Sequence, residues 1–255
     1  MKASVVIDNY NNAKYINDCI RSLSSQTYNN IEIIFFDDNS KDNSIEVISN
    51  FKNVKIIKNN VQTNYGSLNQ INAFKKAVEQ STGDVIFFLD SDDYFHENKI
   101  KNIIEMFSRD ENKMIIFDYP IILKGGEKIL QKKVKKIFKT YWGYIHPTSC
   151  ISIRKKIFQE IIENVSDDKF KNIWLDFRIL IFSKYLLKYN VINENLTYYR
   201  QTENNISTTF KKYSSNWWTR RKEAHDFYFD FMKKNNLTFK KNLDFYITKI
   251  INKFI

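Results

Sequence analysis

Three short runs of acidic and amide residues are the part of the sequence whose residue types can do chemistry. They are Asp8-Asn9, Asp37-Asp38 and Asp90-Ser91-Asp92-Asp93. Clustered carboxylates repel one another unless a positive charge lies between them. Mg²⁺ and Mn²⁺ prefer carboxylate oxygen and commonly take phosphate oxygens as their other ligands. The three runs therefore indicate a site for a metal-bound nucleotide, provided that the fold brings them together.

Each acidic run directly follows an apolar segment that is typical of a β-strand: Ser4–Ile7, Ile31–Phe36 and Val85–Leu89. The intervening segments Ala13–Ser24 and Leu68–Glu79 carry apolar residues at helical spacing,. This alternation predicts an α/β fold with a wound, mostly parallel sheet. Because the carboxyl ends of parallel strands share the edge at which ligands bind, the three acidic runs should meet there.

The rest of the chain is less regular, and its elements are predicted from the same patterns. The further strands are expected at Val54–Lys58, Met114–Tyr119, Ile151–Ile153 and Val191–Arg200, and the further helices at Ser44–Phe51, Lys155–Glu163 and Ile173–Tyr189. A helical, aromatic and basic segment is expected from Trp217 onward.

The positive charge of the 255-residue chain is concentrated in two places. The formal net charge is +11. Seven lysines against one glutamate lie in Ile121–Tyr141, and eleven Lys and Arg against four acids lie in Lys211–Ile255, so the remainder is slightly acidic. A general nucleic-acid-binding surface is therefore not expected.

Only two cysteines occur, Cys19 and Cys150, which excludes a disulfide framework or a cysteine-rich zinc site and predicts reduced thiols,. The longest apolar run, Val85–Leu89, is far shorter than the roughly 20 residues of a membrane-spanning helix,. The N-terminal sequence lacks the apolar core of a signal peptide. We therefore expect a cytoplasmic protein.

Two long stretches of the first hundred residues resemble family 2 glycosyltransferases of the GT-A fold, inverting enzymes of bacterial surface polysaccharide (capsule or lipooligosaccharide) synthesis. They are SVVIDNYNNAKYINDCIRSLSSQTYNNIEIIFFDDNSKDNS and TGDVIFFLDSDDYF. The resemblance continues more weakly in TSCISIRKKIF, IWLDFRI and LTYYRQTENNIS. It implies a GT-A domain over residues 1–210, with a nucleotide-binding half at 1–100 and an acceptor half at 101–210, followed by a separate helical segment at 211–255.

The resemblance also implies a donor site for a UDP-sugar. Asp8, Asn9, Tyr10 and Asp38 match the positions around uracil, although Asp8 replaces the more usual Thr or Pro. Asp90-Ser91-Asp92 matches the DXD motif, whose acids contact the ribose and hold Mn²⁺ or Mg²⁺. The resemblance also makes the neighbouring Asp93 a candidate metal ligand. Further donor contacts are implied for two residues, Asn72 near the diphosphate and Arg200 in place of a family histidine.

The catalytic carboxylate implied by the resemblance is Asp176, at the predicted start of a helix facing the acceptor. A carboxylate there can accept the proton of an attacking sugar hydroxyl. Its nearest rivals, Asp167 and Asp168, are interpreted as part of a solvated loop, and His146 is a candidate acceptor contact. The expected reaction is transfer of a sugar from a UDP-sugar to a glycan or lipid-linked glycan, with inversion.

Two other function classes are weighed against this one. A nucleotidyltransferase that makes a sugar nucleotide needs a glycine-rich, arginine-containing loop after the first strand, and Asp8–Asn11 offers none. A non-catalytic membrane or nucleic-acid binder is suggested by the high pI of about 9.3, but it does not explain the acidic runs. No P-loop or dinucleotide fingerprint occurs in the sequence,.

The basic segments leave alternatives open. Residues 211–255 are consistent with an amphipathic helix on an anionic membrane, as expected for a lipid-linked acceptor, or with a face that packs on the catalytic domain or a second subunit,. The run Lys132–Lys139 is consistent with a flap over the donor, a membrane contact or a solvated loop.

Overall fold

The computed structural model describes residues 1–132, 140–187, 189–201 and 210–255. Residues 133–139 of the run Lys132–Lys139, and residues 202–207 of the stretch LTYYRQTENNIS, therefore lie outside the described residues. The strands are β1 (Ala3–Asn9), β2 (Ile31–Asp37), β3 (Val54–Lys58), β4 (Val85–Asp90), β5 (Tyr94–Phe95), β6 (Ile115–Lys124), β7 (Glu127–Leu130), β8 (Ile151–Arg154) and β9 (Tyr189–Arg200).

The helices are α1 (Ala13–Ser24), α2 (Ser44–Ser49), α3 (Gly66–Glu79), α4 (Lys99–Arg109), α5 (Lys155–Val165), α6 (Leu175–Leu186), α7 (Ser215–Lys234) and α8 (Leu243–Ile251). The bounds of α1 and β3 agree with the prediction, and the other predicted elements shift by a few residues at their ends. The C-terminal segment contains two helices, because α7 ends at a left-handed turn at Asn236.

The described strands form one sheet in the order β3-β2-β1-β4-β8-β6-β9-β5, with β7 paired to β6. The strands β1 to β4 pair in parallel, which confirms the predicted arrangement of the first hundred residues. The second half adds antiparallel pairs, β8 with β4 and with β6. The hairpin β6–β7 turns at Gly125 and Gly126, whose φ angles of 58° and 85° favour glycine,.

Alternating side chains on the strands enter two cores, one on each face of the sheet. Val5, Phe87 and Leu89 pack with α1 and α4, whereas Val6, Phe88 and residues of α3, α5 and α6 form the other core. The helices therefore cover both faces of the sheet, as expected for an α/β fold. Both cysteines are free thiols, as predicted, and both are buried.

The helix α7 packs on the second of these cores through Phe227, Tyr228, Phe231 and Met232, which are all buried. Of the alternatives for the C-terminal segment, α7 thus fits the packing interpretation. The helix α8 differs, since several of its large apolar side chains are exposed. Within the described part of the chain, no helix has the length and apolar character needed to cross a membrane.

Candidate active site

The ends of β1, β2 and β4 meet at one edge of the sheet. In the parallel registers, Asp8 pairs with Asp90 of β4, and Asn9 pairs with Asp37 of β2. The three strands therefore end at the same level of the sheet, and the polar residues at their ends lie side by side. This confirms the predicted meeting of the three acidic runs.

A cleft of about 800 Å³ opens over this edge. Six of the predicted site residues line it: Asp8, Tyr10, Asp38, Asp90, Asp92 and Asp176. Thr148, Trp174 and Tyr199, which lie in stretches that carry the weaker resemblance, also line it. The lining further includes residues that the sequence did not connect with the site: Gln62, Asn69, Gln70 and Arg220. The described lining residues do not include Asn9, Asn72, Ser91, Asp93 or Arg200.

Asp38 is held at one end of the cleft by two amides. Asn59 donates from Nδ2 to Oδ1 at 2.7 Å, and Gln62 donates from Nε2 to Oδ2 at 2.7 Å. Because both oxygens of this buried carboxylate already accept hydrogen bonds, its orientation is fixed before any ligand arrives,. Tyr10 lines the same cleft and has 49% of its surface exposed, so its ring is accessible for stacking,.

Asn9 and Ser91 support the cleft from beneath. Asn9 is buried, and its Nδ2 donates to Asp37 Oδ1 at 2.8 Å and to Ser40 Oγ at 3.1 Å. Ser91 is also buried, and its Oγ accepts from Asn12 Nδ2 at 3.0 Å. Both side chains connect loops that follow different strands, which fixes the loops relative to each other.

Asp93 lies behind the acidic run and not in the cleft. Its Oδ2 accepts a hydrogen bond from Ser149 Oγ at 2.6 Å, and its Oδ1 accepts one from the backbone N–H of Arg200 at 2.9 Å. Both carboxylate oxygens thus join the acidic run to β9 and to the turn before β8. In this arrangement Asp93 positions the run, and Asp90 and Asp92 are the members that face the cleft.

The carboxylates of the cleft destabilise one another's charged forms. Burial, together with the nearby charges of Asp92 and Asp176, raises the pKa of Asp90 well above its ordinary value. Burial and the charge of Asp90 likewise raise the pKa of Asp8. A cation bound among these groups would relieve the repulsion and favour their ionised forms.

The donor set fits a divalent metal that is completed by a ligand. Among the described residues, no three or more His, Cys, Asp or Glu side chains are grouped as a metal site. Asp90 and Asp92 nevertheless offer two hard carboxylates in the cleft. Mg²⁺ is commonly held by one or two carboxylates together with substrate phosphates, so a two-carboxylate site suits a metal–diphosphate complex.

Asp176 is the second residue of α6 and lines the cleft near Asp90. Burial raises its pKa, whereas the positive charge of Arg220 opposes that rise. Its Oδ1 accepts the N–H of Phe177 at 2.6 Å, which orients the carboxylate at the helix N-terminus. Asp167 and Asp168 are exposed and are not among the described lining residues.

Arg178 organises the loop that delivers Asp176 to the cleft, and sequence reasoning missed it. Its fully buried guanidinium donates to four backbone carbonyls: Ile173 at 2.9 Å, Asp167 at 2.8 Å, Phe170 at 2.6 Å, and Val165. Burial lowers the pKa of Arg178 to about 10. A charged residue inside the apolar run LDFRILIF is the sequence feature that indicates such a role.

Asn72 lies on the exposed surface of α3. Gln70, two residues earlier, lines the cleft and donates from Nε2 to Asp90 Oδ1 at 3.2 Å. Successive helical residues are about 100° apart, so positions separated by two face in nearly opposite directions. The donor contact expected of Asn72 is therefore better served by Gln70.

Arg200 is not among the described lining residues of the cleft, and its side chain is held by neighbouring groups. Its guanidinium donates to the backbone oxygen of Asp92 at 3.0 Å and to Asp18 Oδ2 at 2.5 Å. It also lies over two rings, 4.9 Å from the centroid of Tyr15 and 5.0 Å from that of Tyr94. These contacts make Arg200 a support for the acidic run.

His146 is buried among aromatic rings, and its Nδ1 lies 2.8 Å from the backbone oxygen of Asp118. Burial lowers its pKa to about 4, so it is neutral at physiological pH. The neighbouring Pro147 and Thr148 line the cleft. This placement is typical of a structural histidine.

An α/β fold with a carboxylate-lined cleft at the carboxyl edge of its parallel strands is a nucleotide-binding architecture. Residues 4–185 match the model of the family described as glycosyl transferase family 2. Because this match spans most of the chain, the protein belongs to glycosyl transferase family 2, as the sequence resemblance implied.

The relatives include an uncharacterised glycosyltransferase of Nostoc sp. that is 32% identical over 78% of this chain and 65% of its own length. Another is WfaP of Escherichia coli, a UDP-Glc:alpha-D-GlcNAc-diphosphoundecaprenol beta-1,3-glucosyltransferase, 37% identical over 46% of this chain and 44% of its own length. This chain spans less than two thirds of the length of both relatives.

Among solved structures, Staphylococcus aureus TarS residues 1–349 in complex with UDP-GlcNAc superimposes with a TM-score of 0.66. The alignment covers 89% of this chain and 66% of that one at 17% sequence identity. At this level of sequence identity the match is evidence for the fold alone. The superposition confirms the expected GT-A fold.

Proposed function

We propose that the protein is a metal-dependent, inverting glycosyltransferase that moves a sugar from a UDP-sugar to a hydroxyl of a glycan or lipid-linked glycan acceptor. The observation that carries the proposal is the single cleft in which Asp90 and Asp92 lie near Asp176. The TarS structure with UDP-GlcNAc and the donor in the name of WfaP support a UDP-sugar. The proposed setting is the synthesis of a surface polysaccharide, such as a capsule.

Each side chain has a defined part in this reaction. Asp38 and Tyr10 bind the nucleoside, and Asp90 and Asp92 are the residues that would hold Mn²⁺ or Mg²⁺. The metal, when bound, stabilises the negative charge of the departing diphosphate. Asp176 accepts the proton of the acceptor hydroxyl as that oxygen attacks the anomeric carbon. Attack opposite the leaving group inverts the anomeric centre.

The nucleotidyltransferase alternative gains no support from the structure. The loop after β1, Tyr10–Asn12, has no glycine or arginine with which to wrap a triphosphate. Asp176, which the transferase reaction uses as a base, lies beside the donor carboxylates in the cleft. The family assignment likewise favours an enzyme over a non-catalytic nucleic-acid or membrane binder.

We predict that UDP together with Mn²⁺ raises the melting temperature, whereas UDP alone, and CDP, GDP or dTDP with Mn²⁺, do so much less. A ligand at 100 times its Kd adds about 2.7 kcal/mol, which corresponds to roughly 5 to 10 °C for a chain of this size. Thermal unfolding of the wild type and of Asp92→Ala measures the effect. The shift should disappear in Asp92→Ala, which loses a cleft carboxylate.

The control for this experiment is Asp168→Ala, which removes an exposed carboxylate outside the cleft. It should keep the full shift. No shift with any nucleotide in the wild type would overturn the proposed function, and an equal shift without Mn²⁺ would overturn its metal dependence.

The proposal extends to a peripheral membrane contact through α8. Leu243, Tyr246, Ile247 and Ile250 recur at helical spacing and have 66%, 52%, 39% and 57% of their surfaces exposed. Four lysines lie on or beside this helix: Lys240, Lys241, Lys249 and Lys253. An exposed apolar stripe bordered by lysines suits the surface of an anionic membrane, where a lipid-linked acceptor would be found.

We predict that Ile250→Asp reduces binding to vesicles by about tenfold or more, since it places a charge on the apolar stripe. Co-sedimentation with phosphatidylglycerol-containing vesicles and with neutral phosphatidylcholine vesicles measures this. The control Val61→Asp changes a residue that is 78% exposed in another part of the molecule and should bind as the wild type does. The membrane contact would be contradicted if the wild type did not bind anionic vesicles. It would also be contradicted if Ile250→Asp bound them as well as the wild type does.

A further inference from the structure

The cleft is lined by far more negative than positive charge. Six aspartates line it: Asp8, Asp38, Asp42, Asp90, Asp92 and Asp176. The basic side chains among its described lining residues are Lys14 and Arg220. Lys14 is exposed on α1, whereas Arg220 is partly buried on α7. A diphosphate entering this cleft therefore meets few cationic groups, and Arg220 is the more enclosed of the two.

Arg220 reaches the cleft from the C-terminal segment. Its guanidinium lies 4.7 Å from the centroid of the Phe210 ring. Burial lowers its pKa, while the nearby carboxylates of Asp176 and Glu223 oppose that change. Arg220 lines the cleft, and among the described residues its guanidinium makes no hydrogen bond and no ion pair within 4 Å. Its N–H donors are therefore available to a ligand that enters the cleft.

The other arginine near the acidic run does not serve the cleft in this way. Arg200 is not among the described lining residues, and it donates to the backbone oxygen of Asp92 and to Asp18 Oδ2. Arg220 thus differs from Arg200 in both place and partners. A planar guanidinium with several donors matches phosphate oxygens in a bidentate manner, which an isolated ammonium does not.

We infer that Arg220 binds the diphosphate of the nucleotide donor, so that α7 of the C-terminal segment completes the donor site. This inference rests on the proposed function, because it assigns a new contact within the same reaction. The contact would stabilise the charge of the departing nucleoside diphosphate together with the divalent metal. It would also make the nucleotide site depend on a segment that lies outside the family match at residues 4–185.

The test compares a ligand with phosphates and one without them. With Mn²⁺ present, Arg220→Met should weaken UDP binding by about 10- to 100-fold, the range for a charge-assisted hydrogen bond, while uridine binding changes less than about twofold. Arg220→Lys should fall between Arg220→Met and the wild type. Lys222→Met, which removes an exposed cation on the same helix, should bind both ligands normally. Calorimetry and NMR titration give the dissociation constants.

Preserved uridine binding shows that Arg220→Met remains folded. If the wild type binds UDP and Arg220→Met binds it equally well, the inference is wrong and the proposed function stands. An equal loss of UDP and uridine binding would also overturn the inference, because Arg220 would then act through the fold. A wild type that binds no nucleoside diphosphate would refute the proposed function and this contact together.

Discussion

Asp176→Asn should lower kcat by about 10²- to 10⁴-fold, the usual contribution of a positioned general base. The amide keeps the size of the side chain but cannot accept the proton of the acceptor hydroxyl. Asp176 lines the cleft near Asp90, so it can face an acceptor while the donor is bound. The Kd for UDP should change little, since the proposed role of Asp176 is confined to the acceptor side.

Single-turnover kinetics with a radiolabelled UDP-sugar and calorimetry with UDP separate these two quantities. The matched control is Asp168→Asn, an exposed aspartate of the preceding loop, which should keep wild-type kcat. Because burial raises the pKa of Asp176, activity should fall on the acid side at a pH above the ordinary pKa of an aspartate. If Asp176→Asn retains more than about a tenth of the wild-type kcat, Asp176 is not the general base.

The meeting of the acidic runs can be predicted from sequence because it depends on local patterns. An apolar run marks each strand, a polar run marks its end, and parallel pairing puts those ends on one edge. The observed registers of Asp8 with Asp90 and of Asn9 with Asp37 agree with that expectation. The sequence does not predict which aspartates of the Asp90–Asp93 run face the cleft. That depends on which of them accepts hydrogen bonds from Ser149 and Arg200.

The residues that sequence reasoning missed come from long-range packing. Gln70 faces Asp90 only because α3 packs on the sheet with that rotation. Arg220 reaches the cleft only because the aromatic face of α7 packs against the same core as α6. The pattern of α7 predicts an amphipathic helix, but it does not indicate which surface the helix covers. Its basic residues could therefore not be divided beforehand between solvent and the site.

A buried ion pair beneath the acidic run was equally hidden from sequence reasoning. Lys99 and Asp118 are almost completely buried, and Lys99 Nζ lies 3.0 Å from Asp118 Oδ1. Lys99 also donates to the backbone oxygen of Ser149 and to Thr197 Oγ1, both at 2.6 Å. Since Ser149 in turn donates to Asp93, this network connects α4, β6 and β9 with the run that faces the cleft.

Lys99→Met should therefore destabilise the fold by about 3–5 kcal/mol, because it leaves the Asp118 carboxylate buried without its partner. Lys99 lowers the pKa of Asp118 against the opposing effect of burial, so its removal lets that pKa rise further. A folded state that binds a proton more tightly than the unfolded chain loses stability as pH rises. The penalty measured by urea unfolding should accordingly be larger at pH 8 than at pH 5.

Two further variants separate the lost charge partner from a general packing defect. Lys101→Met changes an exposed lysine of the same helix and should stay within about 0.5 kcal/mol of the wild type,. Replacing both partners, as Lys99→Met with Asp118→Leu, should recover part of the stability, since no uncompensated charge then remains buried. Equal stabilities of Lys99→Met and Lys101→Met would show that the ion pair does not support the acidic run, which would then depend on its backbone contacts alone.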